Sequence, residues 1–178
     1  MIYGERIRLR APERDDLPRF VGWLNDPEVR QNLFMFLPLS MAEEEHWFED
    51  VLKQPAAERP MVIEILDGES WKPVGNCGFI HIDWRCRAGE VGIFIGDKSR
   101  WNQGYGTEAM RLLLRHGFNT LNLNRIFLRV FDTNARAMRT YEKAGFVHEG
   151  RLRQAEYQDG KYIDMLVMSV LYSEWKEN

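Results

Sequence analysis

Cysteine is scarce in this chain, and long apolar runs are missing. The 178 residues include only two cysteines, Cys77 and Cys86, too few and too far apart for a disulfide framework or a metal site. We expect both to be reduced packing residues and expect no bound metal. No stretch approaches the roughly 18 apolar residues of a membrane-spanning helix, and the N-terminus lacks an apolar signal core. The sequence therefore predicts a cytoplasmic protein without a membrane partner.

An excess of positive charge is also missing. Lysine and arginine number 24 against 27 aspartates and glutamates, which gives a net charge of −3 at pH 7. Proteins that bind duplex nucleic acid usually carry a basic excess, because phosphate contacts dominate their affinity. We therefore expect no nucleic-acid partner. A mildly acidic chain is compatible with a cationic partner such as an amine.

Apolar residues are plentiful and follow the periods of both helices and strands. Hydrophobic residues make up 44% of the chain, and no linker or repeat divides it, so we expect residues 1–178 to form one domain. The periodicity predicts the order β-α-α-β-β-β-α-β-α-β-β, which is an α/β (α+β) fold with helices on a mixed, mostly antiparallel sheet. The predicted strands cover 7–10, 61–66, 74–82, 90–95, 126–130, 146–151 and 163–171, and the predicted helices cover 17–24, 41–52, 106–116 and 135–144.

A glycine-rich turn joins a predicted strand to a predicted helix. Gly104 and Gly106 permit backbone conformations that other residues avoid, so that successive N–H groups can point at one anion. The start of a helix adds the positive end of its dipole. The pattern thus indicates a diphosphate site, although a tight turn without a ligand stays open as an alternative. The turn reads Trp101-Asn102-Gln103-Gly104-Tyr105-Gly106-Thr107.

Two other nucleotide-binding motifs fit this turn poorly. A P-loop needs a lysine directly after its second glycine, and Thr107 stands there. A dinucleotide fingerprint accepts Ala109 at its third glycine position, but the turn lies in mid-chain after several strands, and the expected acidic residue is missing about 20 residues later. A scaffold for other nucleotides remains a weaker alternative.

A second motif makes a family resemblance specific. Asn134 begins a predicted helix, and Tyr141, Gly145 and Phe146 follow at fixed spacing. Together with the glycine turn, this pattern resembles the GNAT superfamily of acyl-CoA-dependent N-acetyltransferases. The segments 5–12 and 156–164 resemble the branch that contains ribosomal-protein N-terminal acetyltransferases and polyamine acetyltransferases. The resemblance spans essentially the whole chain and implies the GNAT fold, acetyl-CoA as co-substrate and no metal.

The resemblance also implies which residues bind the cofactor. In the family, main-chain N–H groups of the turn bind the diphosphate of coenzyme A, and the preceding strand pairs with the pantetheine arm. The family usually has Arg or Gln where this chain has Trp101, so Arg100 is a candidate for the missing charge. The implied cofactor-binding residues are Ile93, Phe94, Ile95, Arg100, Trp101, Asn102, Gln103, Gly104, Tyr105, Gly106, Thr107 and Asn134.

The chemistry of amine acetylation assigns two further roles. Only about one alkyl amine in 2,500 is unprotonated at pH 7, so a base is needed, and Glu90 matches an acidic position of the family, acting directly or through water. Tyr141 matches the tyrosine that protonates the leaving thiolate. Main-chain N–H groups near Phe94 or Ile95 would polarise the thioester carbonyl.

The acceptor stays open at this point. A protein N-terminal amine, a polyamine and a small amino metabolite are all compatible with the sequence, and attack would be direct in a ternary complex. Phe34 and Phe36 either line the acceptor pocket or belong to the core. The alternative function is a non-catalytic acyl-CoA-binding or sensing module. A homodimer is compatible with the resemblance.

Overall fold

One eight-stranded sheet forms the centre of the structure, a computed structural model that describes residues 1–176. Within these residues the strands are β1 (Ile2–Tyr3), β2 (Ile7–Arg10), β3 (Met61–Asp67), β4 (Ser70–Asp83), β5 (Ala88–Ile95), β6 (Arg125–Phe131), β7 (Val147–Gln158) and β8 (Lys161–Leu171). Their order across the sheet is β1-β2-β3-β4-β5-β6-β8-β7. Neighbouring strands are antiparallel except β5 and β6, which are parallel.

Five α-helices lie in the loops and crossovers of the described residues. Glu43 and Ser40 form a reciprocal capping box at the start of the third helix, because each side chain accepts a hydrogen bond from the other residue's N–H. The last helix begins after Asn134, whose side chain accepts from the Ala137 N–H, and ends at Gly145 with a φ of 106°. The helices are α1 (Leu17–Leu24), α2 (Pro27–Arg30), α3 (Met41–Lys53), α4 (Tyr105–Arg115) and α5 (Ala135–Ala144).

The parallel pair β5 and β6 separates partway along its length. Its pairing runs only from Ala88–Arg125 to Glu90–Phe127. Beyond that point β5 stays paired with β4 through Ile95, so one edge of β5 opens into a cleft. A strand edge that leaves its neighbour can pair with an extended ligand instead.

Two groups of buried residues hold the helices on the sheet. The larger group includes Met110 and Leu113 of α4, which pack with Ile63 and Ile126 of the sheet. The smaller group joins α1 and α3 to β3 around Phe20, together with Phe94 of β5. Burial of apolar area at about 25 cal/mol per Å² is the main favourable term for both groups.

The predicted α/β class and the mixed, mostly antiparallel sheet with flanking helices are confirmed. The structure adds strand β1 and the short helix α2, which have too few residues to show a period in the sequence. It also extends the strand predicted at 146–151 to Gln158. The prediction that both cysteines pack in the interior is wrong for Cys86, which is exposed, whereas Cys77 is buried.

Candidate active site

The cleft between β5 and β6 forms the centre of the candidate site. It has a volume of about 470 Å³ and continues past the end of β5 to the glycine turn and the first turns of α4 and α5. The predicted residues that line it are Phe34, Glu90, Ile93, Phe94, Ile95, Arg100, Trp101, Asn102, Gly104, Tyr105, Gly106, Thr107, Asn134 and Tyr141.

The glycine turn holds its shape through left-handed backbone conformations. Gly104 has a φ of 87° and caps the start of α4, and Asn102 also has a positive φ, of 60°. The first N–H groups of a helix have no partner within the helix, so those of Tyr105, Gly106 and Thr107 are directed toward the end of the cleft. A Cβ on Gly106 would lie 3.4 Å from the Thr140 side chain of α5, which shows how closely the two helices approach.

Arg6 braces the turn from the side away from the cleft. Its Nη1 donates to the Gln103 carbonyl at 3.0 Å, and its Nε donates to the Glu108 carboxylate at 3.0 Å. The Gln103 side chain donates to the Ser99 carbonyl at 2.7 Å and does not line the cleft. Gln103 therefore contributes to the turn through its backbone.

The backbone of β5 alternates between β4 and the cleft. The Phe94 carbonyl faces β4, since a Cβ on Gly75 would meet it, whereas the Ile95 carbonyl accepts from the Trp101 indole at 2.8 Å on the cleft side. The N–H and C=O of one strand residue lie on the same side, so Ile93 and Ile95 direct their N–H groups into the cleft. The Phe94 N–H, one of the candidate donors from the sequence, faces β4 instead.

Arg100 is tied to the opposite side of the turn. Its Nη2 donates to the Asp67 carboxylate at 2.9 Å, and its Nε lies 3.9 Å from Asp97. Arg136, in the first turn of α5, stacks on the Trp101 indole with its guanidinium carbon 3.5 Å from the ring centre. The sequence alone gave no reason to place Arg136 beside Trp101, because 35 positions separate them.

Tyr141 and Asn134 reach the cleft from α5. Burial raises the pKa of the Tyr141 hydroxyl to about 12, and this hydroxyl has no hydrogen-bond partner among residues 1–176. The Asn134 side-chain oxygen accepts from the Ala137 N–H at 3.1 Å. Since this cap uses the oxygen, the side-chain NH₂ group of Asn134 is the part available to a ligand.

Glu90 lies at the point where the two strands separate. Its carboxylate accepts from Arg129 Nε of β6 at 2.6 Å, and its side chain is only 14% exposed. Phe34 packs edge-on against Phe131 with ring centres 4.8 Å apart and lines the cleft. Phe36, by contrast, is 84% exposed and lies outside the cleft lining, so the structure brings only one of the two phenylalanines to the site.

Other cleft residues gave no signal in the sequence. Trp47, Glu58 and Asn76 also line the cleft, and they come from α3, a short turn and β4. Only the folded sheet brings them together. In residues 1–176 no group of three or more metal-binding side chains occurs, and none of the helices described there has the length and apolar character to span a bilayer.

A strand pair that separates beside a glycine turn at a helix start can hold an extended ligand with a diphosphate, which is the arrangement expected of an acyl-CoA-dependent transferase. The family model described as an acetyltransferase (GNAT) domain matches residues 6–147. The chain belongs to the GNAT family of acetyltransferases, and it is an acetyl-CoA-dependent N-acetyltransferase.

Several similar proteins match nearly the full length of the chain. An uncharacterized N-acetyltransferase from Bacillus licheniformis is 32% identical, covering 98% of this chain and 97% of the relative. A spermidine N(1)-acetyltransferase from Vibrio cholerae is 30% identical, covering 97% and 96%. The crystal structure of a spermidine N-acetyltransferase from Vibrio cholerae in complex with CoA and spermine is 29% identical, with a TM-score of 0.86 and coverage of 96% and 98%.

Proposed function

We propose that this protein transfers an acetyl group from acetyl-CoA to the primary amine of a small cationic molecule, with a polyamine as the first candidate. The observation that carries the proposal is a single cleft that joins the glycine turn, the open edge of β5, Tyr141 and Glu90. One cleft of this kind supports direct attack in a ternary complex, since both substrates reach the same point between β5 and β6.

The glycine turn is the proposed diphosphate site. Main-chain N–H groups from Asn102 to Thr107 would hold the anion at the start of α4, and the pantetheine arm would pair with the open edge of β5. Ile93 or Ile95 would donate an N–H group to the thioester carbonyl as negative charge develops there. The Asn134 amide would donate to the pantetheine from the opposite wall.

Glu90 is the proposed base. An ammonium group must lose a proton before it can attack, and the Glu90 carboxylate, directly or through water, takes that proton beside the thioester. The ion pair with Arg129 fixes the orientation of the carboxylate. Direct attack on the thioester carbonyl then requires only that the two reactants are held together.

Tyr141 is the proposed donor to the departing sulfur. With a pKa of about 12, its hydroxyl stays protonated throughout the physiological range. A thiol has a pKa of about 8.5, so complete proton transfer from this phenol to a free thiolate is uphill. Tyr141 therefore acts by donating a hydrogen bond to the sulfur while negative charge accumulates on it.

Two observations support a cationic acceptor. Glu58 and Glu90 line the cleft, and a carboxylate there can accept hydrogen bonds from an ammonium group. Two of the similar proteins are named as spermidine acetyltransferases, and one of these was solved with spermine. Phe34 and Trp47 would contact the methylene segments of a polyamine, since both aromatic side chains line the cleft.

An acceptor panel tests the proposal. Thiol release from acetyl-CoA is measured with spermidine, spermine, a peptide with a free α-amine and glucosamine, and the products are checked by mass spectrometry. We expect acetylated polyamine to form fastest. Saturable acetyl-CoA binding without product from any acceptor would instead favour the non-catalytic sensing module, and preference for the peptide would replace the polyamine with a protein amine.

A further inference from the structure

Three arginines line the cleft, and their electrostatic partners differ. Arg129 is paired with Glu90 at 2.6 Å, and Arg100 is paired with Asp67 at 2.9 Å. Arg136 lines the same cleft but has no carboxylate within 4.0 Å and no hydrogen-bond partner for its guanidinium among residues 1–176. A half-buried guanidinium without an anion carries five unused N–H donors, so Arg136 is the arginine of the cleft that is available to an anionic ligand.

Two cations near the glycine turn but outside the cleft are paired as well. Lys98 contacts Asp26 at 2.7 Å and contacts Glu28 as well, and Arg6 is held by Glu108 at 3.0 Å. Arg111 and Lys143 have no carboxylate within 4.0 Å among residues 1–176, but they line a second pocket beside Gly104 and Thr107 rather than the cleft. Inside the cleft, a diphosphate at the turn would meet main-chain donors and Arg136, the cleft arginine without an acidic partner in the described residues. Arg136 would supply the positive charge that these donors lack.

Trp101 gives Arg136 a defined position. The indole N–H donates to the Ile95 carbonyl at 2.8 Å, which fixes the ring at the end of β5. The guanidinium of Arg136 lies over that ring at 3.5 Å. An aromatic face attracts a cation without using its N–H donors, so the stack holds the guanidinium in place and leaves those donors free.

Burial of the Arg136 guanidinium costs hydration free energy, and a bound anion would offset that loss. The Arg136 side chain loses hydration in the cleft, and this burial lowers the pKa of its guanidinium below the usual value. The negative charge of Glu28 raises the same pKa, but this effect is smaller than that of burial. A bound anion would compensate for the lost hydration.

From this geometry we propose that Arg136, positioned on the face of Trp101, binds the diphosphate of acetyl-CoA and sets the preference for the full cofactor over its pantetheine fragment. The inference rests on the proposed function, because it places the diphosphate at the 102–107 turn. Two residues that lie far apart in the sequence act together in this inference. Trp101 positions the Arg136 side chain, and Arg136 contacts the ligand.

Binding of three probes to matched variants tests the inference. The probes are CoA, dephospho-CoA, which lacks the 3′-phosphate, and pantetheine, which lacks the diphosphate. For Arg136→Gln we expect dissociation constants for CoA and dephospho-CoA to rise by the same factor, about tenfold or more. The dissociation constant for pantetheine should not change. Arg139→Gln is the control, since Arg139 is exposed on the same helix and does not line the cleft.

Two replacements of Trp101, one aromatic and one aliphatic, test whether its ring positions Arg136. Trp101→Phe keeps an aromatic face and should bind CoA within about threefold of the wild type, whereas Trp101→Leu should approach Arg136→Gln. The double variant Trp101→Leu/Arg136→Gln should bind little worse than Arg136→Gln alone, because the two residues act as a unit. Additive losses in the double variant would overturn the positioning role of Trp101.

Several outcomes would overturn the role of Arg136. Equal weakening of pantetheine would show a structural effect, and weakening of CoA alone would place Arg136 at the 3′-phosphate. Unchanged CoA binding by Arg136→Gln would remove the contact altogether. Failure of the proposed function is distinguishable from all of these, because the wild-type protein itself would then bind CoA no better than pantetheine. Circular dichroism of each variant checks that it is folded.

Discussion

Arg129 of β6 donates from its Nε to the Glu90 carboxylate at 2.6 Å, at the point where β5 and β6 separate. The pair joins Glu90, the last paired residue of β5, to β6 two residues beyond its strand partner Phe127. The opening of the cleft thus brings a carboxylate and a guanidinium to its inner end. This relationship gives the proposed base a fixed orientation at the point where the cleft begins.

Glu90→Gln should lower kcat/KM for acetyl transfer by about a hundredfold or more, since general bases typically contribute 10²- to 10⁴-fold. The loss should be greatest near neutral pH, where almost all of the amine is protonated, and smaller at high pH. Initial rates across pH measure it. The control is Glu149→Gln, which breaks another Glu–Arg pair, with Arg125, outside the cleft. Wild-type rates in Glu90→Gln would exclude the role.

Tyr141→Phe should lower kcat by about tenfold to a hundredfold, because the departing sulfur loses its hydrogen-bond donor. The dissociation constant for CoA should change by less than about twofold, which isothermal titration calorimetry measures. Since the Tyr141 pKa is about 12, the wild-type rate should show no loss from ionisation of this group up to about pH 10. Tyr172→Phe is the control, because Tyr172 is exposed and packs on Phe118 instead. A large change in CoA affinity in Tyr141→Phe would indicate a packing role.

Local patterns in the sequence were enough to predict the helix starts and the turn. The capping box at Ser40 and Glu43, the cap at Asn134 and the left-handed Gly145 all depend on neighbours within a few residues. The positive φ of Gly104 could likewise be expected, because glycine adopts this conformation more readily than other residues do. Features of this kind are readable because their physical causes are local.

Contacts between distant segments could not be predicted in the same way. Arg136 meets Trp101 only because α5 starts beside the end of β5, and Arg100 is directed away from the turn by Asp67, 33 positions earlier. The sequence made Arg100 the candidate for the missing charge because it is adjacent to Trp101. Ion pairs between distant segments decide which arginine is left to bind an anion. Composition and spacing in the sequence do not contain that information.

Gly104→Ala tests the backbone of the glycine turn. A non-glycine residue in the left-handed region costs about 1 kcal/mol or more, and a Cβ at this position would lie 3.1 Å from Arg6 Nη2. We expect lower stability by about 1 kcal/mol in urea unfolding and weaker CoA binding, because the donors of the turn shift. Gly22→Ala in α1 is the matched control, since a Cβ there meets no atom within 4 Å. It should stabilise the helix slightly, and equal effects of the two substitutions would contradict the argument.

Glu44 of α3 should make stability depend on pH. Its side chain is buried, and burial raises the pKa of its carboxyl from 4.5 to about 7. The folded protein therefore holds this proton more tightly than the unfolded chain does, so stability falls as pH rises from about 4.5 to about 7 and stays reduced above that range. Glu44→Gln removes the ionisation and should stabilise the protein at pH 8 by about 1 to 3 kcal/mol, with little gain at pH 4.

Thermal and urea unfolding at both pH values measure this difference. Glu45→Gln is the control, because Glu45 is the exposed neighbour on the same helix. If Glu44→Gln gave the same gain at pH 4 as at pH 8, the effect would come from packing rather than from the buried charge. If it gave none at either pH, the carboxylate would be hydrated in solution, and α3 would have to open toward water at that turn.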